Sequence, residues 1–178
     1  MRYVALLRGI NVGGKTLIKM ADLRATMEEL GFDDVSTFIA SGNVLFASGE
    51  RDAAKLERKV ERAIERRFRL PVKVVLLDRT AYARIVNAIP KSWIGDVNVR
   101  ANVAFVRDGT DAKQVVRELQ PDPEVEEVKA IDGAILWATK RDALNRSVMR
   151  KLIGSATYKE LTVRNLNTTL KLQELLAG

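Results

Sequence analysis

The chain contains no cysteine and no histidine, and aromatics make up only 6% of it. Without thiols there can be no disulfides, thiolate nucleophiles or sulfur-ligated metal sites. Without imidazole no side chain titrates near neutrality in its unperturbed state. A serine–histidine triad is therefore impossible, and a general base must be a carboxylate, a depressed lysine or water. A metal would rest on oxygen ligands, which favours magnesium or calcium over zinc, and no EF-hand spacing of acids occurs. Neither a structural metal nor a cofactor is expected. The sequence also lacks an apolar run near the roughly 20 residues needed to span a bilayer, and Arg8 and Gly9 break the first apolar stretch too soon for a signal peptide. A cytoplasmic location with no membrane partner is expected.

What is present is an ordinary folded composition: 178 residues, 47% hydrophobic and 30% charged, enough for one medium domain or two small ones. Thirty Lys plus Arg against 23 Asp plus Glu give a net charge of +7 and a pI near 9.8. That balance attracts phosphates, nucleic acid or other anions without selecting among them, and it serves solubility equally well.

Tyr3 to Leu7 reads as a buried strand, a short apolar run ending in a Gly-rich turn. Met20, Leu23, Met27 and Leu30 recur at helical spacing, with Gly31 placed for a left-handed C-terminal residue. Val35 to Ala40 and Val44 to Ala47 flank Ser41-Gly42-Asn43, where Gly and Asn tolerate positive φ, so the pair reads as an antiparallel hairpin. From Asp52 to Arg69, Leu56, Val60, Ala63, Ile64 and Phe68 share one helical face, and Pro71 precedes a strand from Val72 to Leu77.

That order is β-α-β-β-α-β, the split βαβ or ferredoxin-like plait. After a connecting helix near Ala81 to Ile89, closed by Pro90, the order repeats. Asn102–Val106 reads as a strand, Ala112–Leu119 as a helix, and Val125–Ile131 with Ala134–Ala138 as a hairpin turning on Asp132-Gly133. Ala143–Ile153 reads as a helix, Leu161–Val163 as a strand, and Asn167–Leu176 as a last helix. The fold class is therefore α+β with antiparallel sheets. It comprises two ferredoxin-like units, residues 1–79 and residues 80–178, the latter including the connecting and terminal helices.

Gly9 to Thr16, GINVGGKT, spells a phosphate-binding loop, and Val74 to Asp78 resembles the strand ending in Asp that holds magnesium in such enzymes. Those enzymes need parallel strands joined by crossovers of a dozen or more residues, whereas the connection at Ser41-Gly42-Asn43 permits only antiparallel neighbours. Asp78 and Thr80 are then available to cap the next helix. The loop remains a candidate anion nest, with Arg8, Asn11, Gly13, Gly14 and Lys15 supplying backbone and cationic donors. Its plain alternative is a β-to-α connection that needs positive φ at its glycines.

Two further polar stretches join the candidates: Ser41 with Asn43, and Arg164-Asn165 with Asn167-Thr168. Asn167 or Thr168 would cap the last helix, and Arg164 would hold a phosphate or carboxylate in bidentate fashion. The competing reading makes the Asn, Ser and Thr residues turn-formers and caps that bond their own backbone. On the Asp52 to Arg69 helix, Lys55, Arg58, Arg62, Arg66 and Arg69 form a basic stripe. It reads as a solvated face, because Glu57, Glu61 and Glu65 run beside it, and nucleic acid is the less favoured partner.

The stretches RGINVGGK, Phe38-Ile39-Ala40-Ser41-Gly42-Asn43 and Thr162-Val163-Arg164-Asn165-Leu166-Asn167-Thr168, in that order, resemble the bacterial domain of unknown function 1697 family over essentially the whole chain. The resemblance implies two ferredoxin-like plaits and no reaction. It also implies that the Lys15-Thr16 ending is incidental, since relatives often carry Asn there. Phe38, Ala40 and Leu166 stand where the family usually has Tyr, Gln and Trp, so hydrogen bonding at the hairpin and stacking at Leu166 are not carried over.

The leading expectation is a binding protein that holds a small phosphorylated or carboxylated ligand with the first loop and Arg164. A magnesium-dependent nucleotide phosphotransferase or hydrolase using GINVGGKT is the enzymatic alternative. A nucleic-acid-binding or protein-interaction module is the third. No catalytic residue and no oligomeric state is assigned.

Overall fold

The same succession, strand–helix–strand–strand–helix–strand, occurs twice along the chain. The computed structural model describes residues 1–13, 17–107, 109–153 and 155–178. Gly14, Lys15 and Thr16 of the GINVGGKT stretch lie outside the described residues.

The first succession is β1 (Arg2–Leu7), α1 (Met20–Glu29), β2 (Asp33–Phe38), β3 (Asn43–Ala47), α2 (Ala53–Phe68) and β4 (Val74–Asp78), followed by α3 (Arg79–Asn87). Its sheet has the order β2-β3-β1-β4 with every neighbour antiparallel. Strand β1 is central, paired Tyr3 to Phe46 on one side and Tyr3 to Asp78 on the other. The period of two sends Tyr3, Ala5 and Leu7, with Val44, Phe46, Val74 and Leu76, to one face, where they meet Leu23 and Met27 of α1 and Leu56, Val60 and Ile64 of α2. Phe46 stacks on Phe32 at 4.3 Å and on Tyr3 at 5.6 Å between ring centroids. Val4, Leu6 and Leu45, on the other face, are buried as well.

Helix α2 begins where Asp52 accepts a hydrogen bond from the Lys55 N–H at 2.9 Å, and it ends at Arg69 in the left-handed conformation, two residues before Pro71. Its flanking acids depart from expectation. Glu57 and Glu61 are half-buried, and the Glu61 carboxylate accepts the Val74 N–H at 2.9 Å, so Glu65 is the one glutamate of the helix that stays exposed. Asp78 caps α3 by accepting the Ala81 N–H at 2.8 Å, which accounts for an acid at the end of β4 without a metal.

The second succession is β5 (Val99–Val106), α4 (Ala112–Leu119), β6 (Glu126–Ile131), β7 (Ala134–Lys140), α5 (Met149–Ile153) and β8 (Leu161–Asn165), followed by α6 (Leu166–Ala177). The sheet order β6-β7-β5-β8 is antiparallel throughout and repeats the topology of the first. Ala104, Val106, Ile135, Trp137 and Leu161 pack against Val115 of α4 and Leu152 of α5.

Both sheets are therefore α+β plaits in the ferredoxin-like arrangement. Two compact units are formed by Met1–Ala83 with Leu172–Gly178, and by Arg84–Lys171, so their boundaries fall within α3 and within α6. The helix expected over Ala143–Ile153 is mostly absent: a 3-10 turn covers Arg141–Ala143, and α5 starts only at Met149. No helix among the described residues is long and apolar enough to cross a membrane.

Candidate functional site

The opening loop and the β2–β3 turn come together. Asn11, at φ 56°, accepts the Ile18 N–H through Oδ1 at 2.8 Å and donates from Nδ2 to the carbonyls of Ile18 at 2.9 Å and Ala40 at 2.8 Å. Its amide thus closes the loop and ties it to the turn, which is the use an Asn in a tight connection finds when ladder partners are lacking. Leu7 N–H donates to the Gly42 carbonyl at 2.8 Å. A Cβ on Gly42 would lie 2.8 Å from Leu7 Cβ and from Ile10 Cδ1, and its φ is +80°. Glycine is required there by close approach as well as by conformation.

The positive φ values of that turn fall on Ile39, at 50°, and Gly42, not on Asn43 as expected. Asn43 belongs to β3, is fully buried, and donates to the Phe38 carbonyl at 2.9 Å and Ser41 Oγ at 3.1 Å. Arg8 is half-buried and Gly13 exposed, with Gly9 and Gly13 at φ 67° and 61°. In the first unit the expected ligand residues Asn11, Ser41 and Asn43 thus direct described side-chain bonds into the protein. Gly14 and Lys15 lie outside the described residues.

In the second unit Arg164 sits on β8 opposite Val103, is 7% exposed, and donates to the Val163 carbonyl at 2.9 Å. Asn165, and not Asn167 or Thr168, caps the last helix: its Oδ1 accepts the Thr168 N–H at 2.8 Å. That places the start of α6 at Leu166 and leaves Asn167 exposed in its first turn. Thr168 is buried.

Antiparallel pairing sets the beginning of β5 beside the ends of β7 and β8, since Val99 pairs with Lys140 and Asn102 with Asn165. A concavity of about 450 Å³ opens at that edge, lined among others by Gly95, Asp96, Arg100, Arg141, Asn165 and Asn167. Hydrogen bonds hold its rim. Trp93, 5% exposed, donates from Nε1 to Glu127 at 2.9 Å, and Gly95 at φ 80° turns the chain. The Asp96 carboxylate accepts from the N–H and the Nδ2 of Asn98, at 2.8 and 3.1 Å. The Asn98 carbonyl accepts the Arg141 N–H at 2.9 Å.

Arg100 and Arg141 are exposed, and among the described residues neither guanidinium makes an ion pair. Sequence reading missed both. Their signal, an arginine near the start of one strand and another just past the end of its partner, has meaning only once the β5–β7 register is known.

Arg100 also borders a second depression of about 480 Å³ with Thr139, Asn145, Ser147 and Arg150. Beneath it Glu126, 4% exposed, accepts from Thr139 Oγ1 at 3.1 Å, from Ser147 Oγ, and from the Val148 N–H at 2.8 Å. Three donors surround one buried carboxylate, so this group is a structural clamp joining β6, β7 and the start of α5.

The family model described as "Protein of unknown function (DUF1697)" matches residues 1–137. No curated protein matches the chain. Among solved structures, the conserved bacterial protein SP0830 from Streptococcus pneumoniae is similar, with a TM-score of 0.86 and 29% identity over 98% of this chain and 98% of that one. The match over most of the chain, together with the shared fold, places this protein in the DUF1697 family of proteins of unknown function.

Proposed function

We propose that the protein binds a small phosphorylated or carboxylated molecule in its second unit, at the concavity between the start of β5 and the start of α6. The observation that carries the reading is the pair of exposed arginines, Arg100 and Arg141, which make no ion pair among the described residues and stand on the wall of a depression large enough for a metabolite. Guanidinium groups meet carboxylate or phosphate in a planar, bidentate geometry. The exposed Asn167 adds a neutral hydrogen-bonding side chain on the same lining. Asp96 on that lining accepts from Asn98 through Oδ1 and keeps its charge, so two guanidiniums stand there against one carboxylate. The reading assigns binding and no reaction.

A thermal-shift screen of sugar phosphates, nucleotides and small carboxylates tests it. A ligand at about 100 times its Kd stabilises the native state by about 2.7 kcal/mol, a rise of about 5–10 °C for a chain of this size. Arg100→Ala and Arg141→Ala should each reduce the shift while leaving the unliganded melting temperature nearly unchanged. The absence of any stabilising compound, or shifts in both variants as large as that of the wild type, contradicts the reading.

A further inference from the structure

The ten exposed residues between Arg51 and Arg69 are all charged, eight basic and two acidic. Four of them, Arg58, Arg62, Arg66 and Arg69, follow one another at steps of four, four and three along α2 and its C-terminal residue, so they share a side of the helix. Among the described residues none of the four makes an ion pair. Of the acids expected to neutralise them, Glu57 and Glu61 are half-buried and Glu61 bonds the backbone of β4. Counting every charge, residues 51–69 carry eight basic and four acidic side chains, a net of +4 within a chain of net +7, and Lys55 pairs with Glu50 just before the helix. The basic character of the protein is therefore concentrated here, which a solubility device would not require.

We propose that the outer face of α2 docks on the phosphate backbone of double-stranded DNA, independently of base sequence. From Arg58 to Arg69 the guanidiniums extend over about 17 Å, and duplex DNA presents about one charge per 1.7 Å of its axis. Arginine suits phosphate through its planar fork of donors. The exposed residues of the face include no aromatic on which an unpaired base would stack, so a single strand gains nothing beyond charge.

Arginine and lysine donate to a ribose 2′-hydroxyl as well as to phosphate, so duplex RNA is set apart from duplex DNA by the titration itself. An acidic protein partner would find no exposed Trp, Tyr or Met anchor here. The apolar face of α2, with Leu56, Val60 and Ile64, is committed to the core, so nothing remains to enter a lipid surface.

The test is a fluorescence titration of the full chain against a random-sequence duplex of about 20 base pairs at several salt concentrations. Four neutralised phosphates predict a slope of log K against log salt near −3.6, and about 150-fold weaker binding at 200 than at 50 mM salt. The triple substitution Arg58→Gln, Arg62→Gln, Arg66→Gln should reduce the slope to about −1. A charge-matched control on other elements, Lys113→Gln, Arg117→Gln, Lys129→Gln, should keep the wild-type slope. Each stripe substitution made singly should make the slope shallower by about 0.9, which preserves the test if the triple variant does not fold.

No duplex binding by the wild type at 50 mM salt overturns the proposal, as does equal binding by the stripe and control variants. Tighter binding to duplex RNA, to phosphatidylserine vesicles or to polyglutamate, lost in the stripe variant, overturns it in favour of that partner.

Discussion

Two residues decide whether the opening loop is a structural connection. Gly42 holds φ +80° with the positions of Leu7 Cβ and Ile10 Cδ1 against its missing side chain. Gly42→Ala therefore adds both backbone strain and overpacking, an expected loss of about 2–4 kcal/mol in denaturant unfolding. Asn11→Ala leaves the Ile18 N–H and the carbonyls of Ile18 and Ala40 without their present partner. It should cost about 2 kcal/mol by the same measurement. The glycine was legible in the sequence, since a Ser-Gly-Asn stretch between two apolar runs has few other uses. The partner of Asn11 was not, because the carbonyl of Ala40 is brought near only by strand pairing. The same holds for Asn43, which reads as a turn residue but is a buried strand residue that closes the turn from inside.

The ends of elements carry the electrostatics. Before α2, Glu50 is pulled down from 4.5 to about 2, chiefly by the hydrogen bond from Lys55 and then by the N–H groups of Asp52 and Arg51. Because the folded value is the lower one, this contribution is complete above about 4.5 and lost as pH falls toward 2. Lys55 is raised above its ordinary 10.5, first by the same bond, so its share is complete below that value and lost at more alkaline pH. Glu50→Gln should flatten the acid limb of a stability-against-pH curve relative to wild type.

In the second unit Glu126→Ala would leave the Val148 N–H and two hydroxyls buried without their acceptor, an expected cost of about 2–4 kcal/mol. That clamp also explains why a helix over Ala143–Ile153, suggested by apolar spacing, is broken. Ser147 and Val148 bond the carboxylate of a distant strand, and α5 begins only after them. By contrast α4 was readable end to end, because Asp111 accepts from Lys113 and Gln114 next to a strongly amphipathic run.

At the scale of the molecule the repeated plait is what the sequence displays best, since hydrophobic period, glycine turns and caps agree in both units. The DUF1697 family and its shared fold add no chemistry. The candidate site was less legible, because its arginines become neighbours only through strand register, while Asn11 of the glycine-rich stretch that draws the eye bonds Ile18 and the β2–β3 turn. Function is accordingly proposed at the edge of the second sheet, with a separate charged face on α2.

The most direct test is isothermal titration of the strongest hit from the ligand screen into three proteins: wild type, Arg141→Ala and Asn11→Ala. Asn11→Ala is expected to keep wild-type affinity per folded molecule despite its lower melting temperature, and Arg141→Ala to bind at least about tenfold more weakly. The reverse pattern, with affinity lost at Asn11 and kept at Arg141, would contradict it.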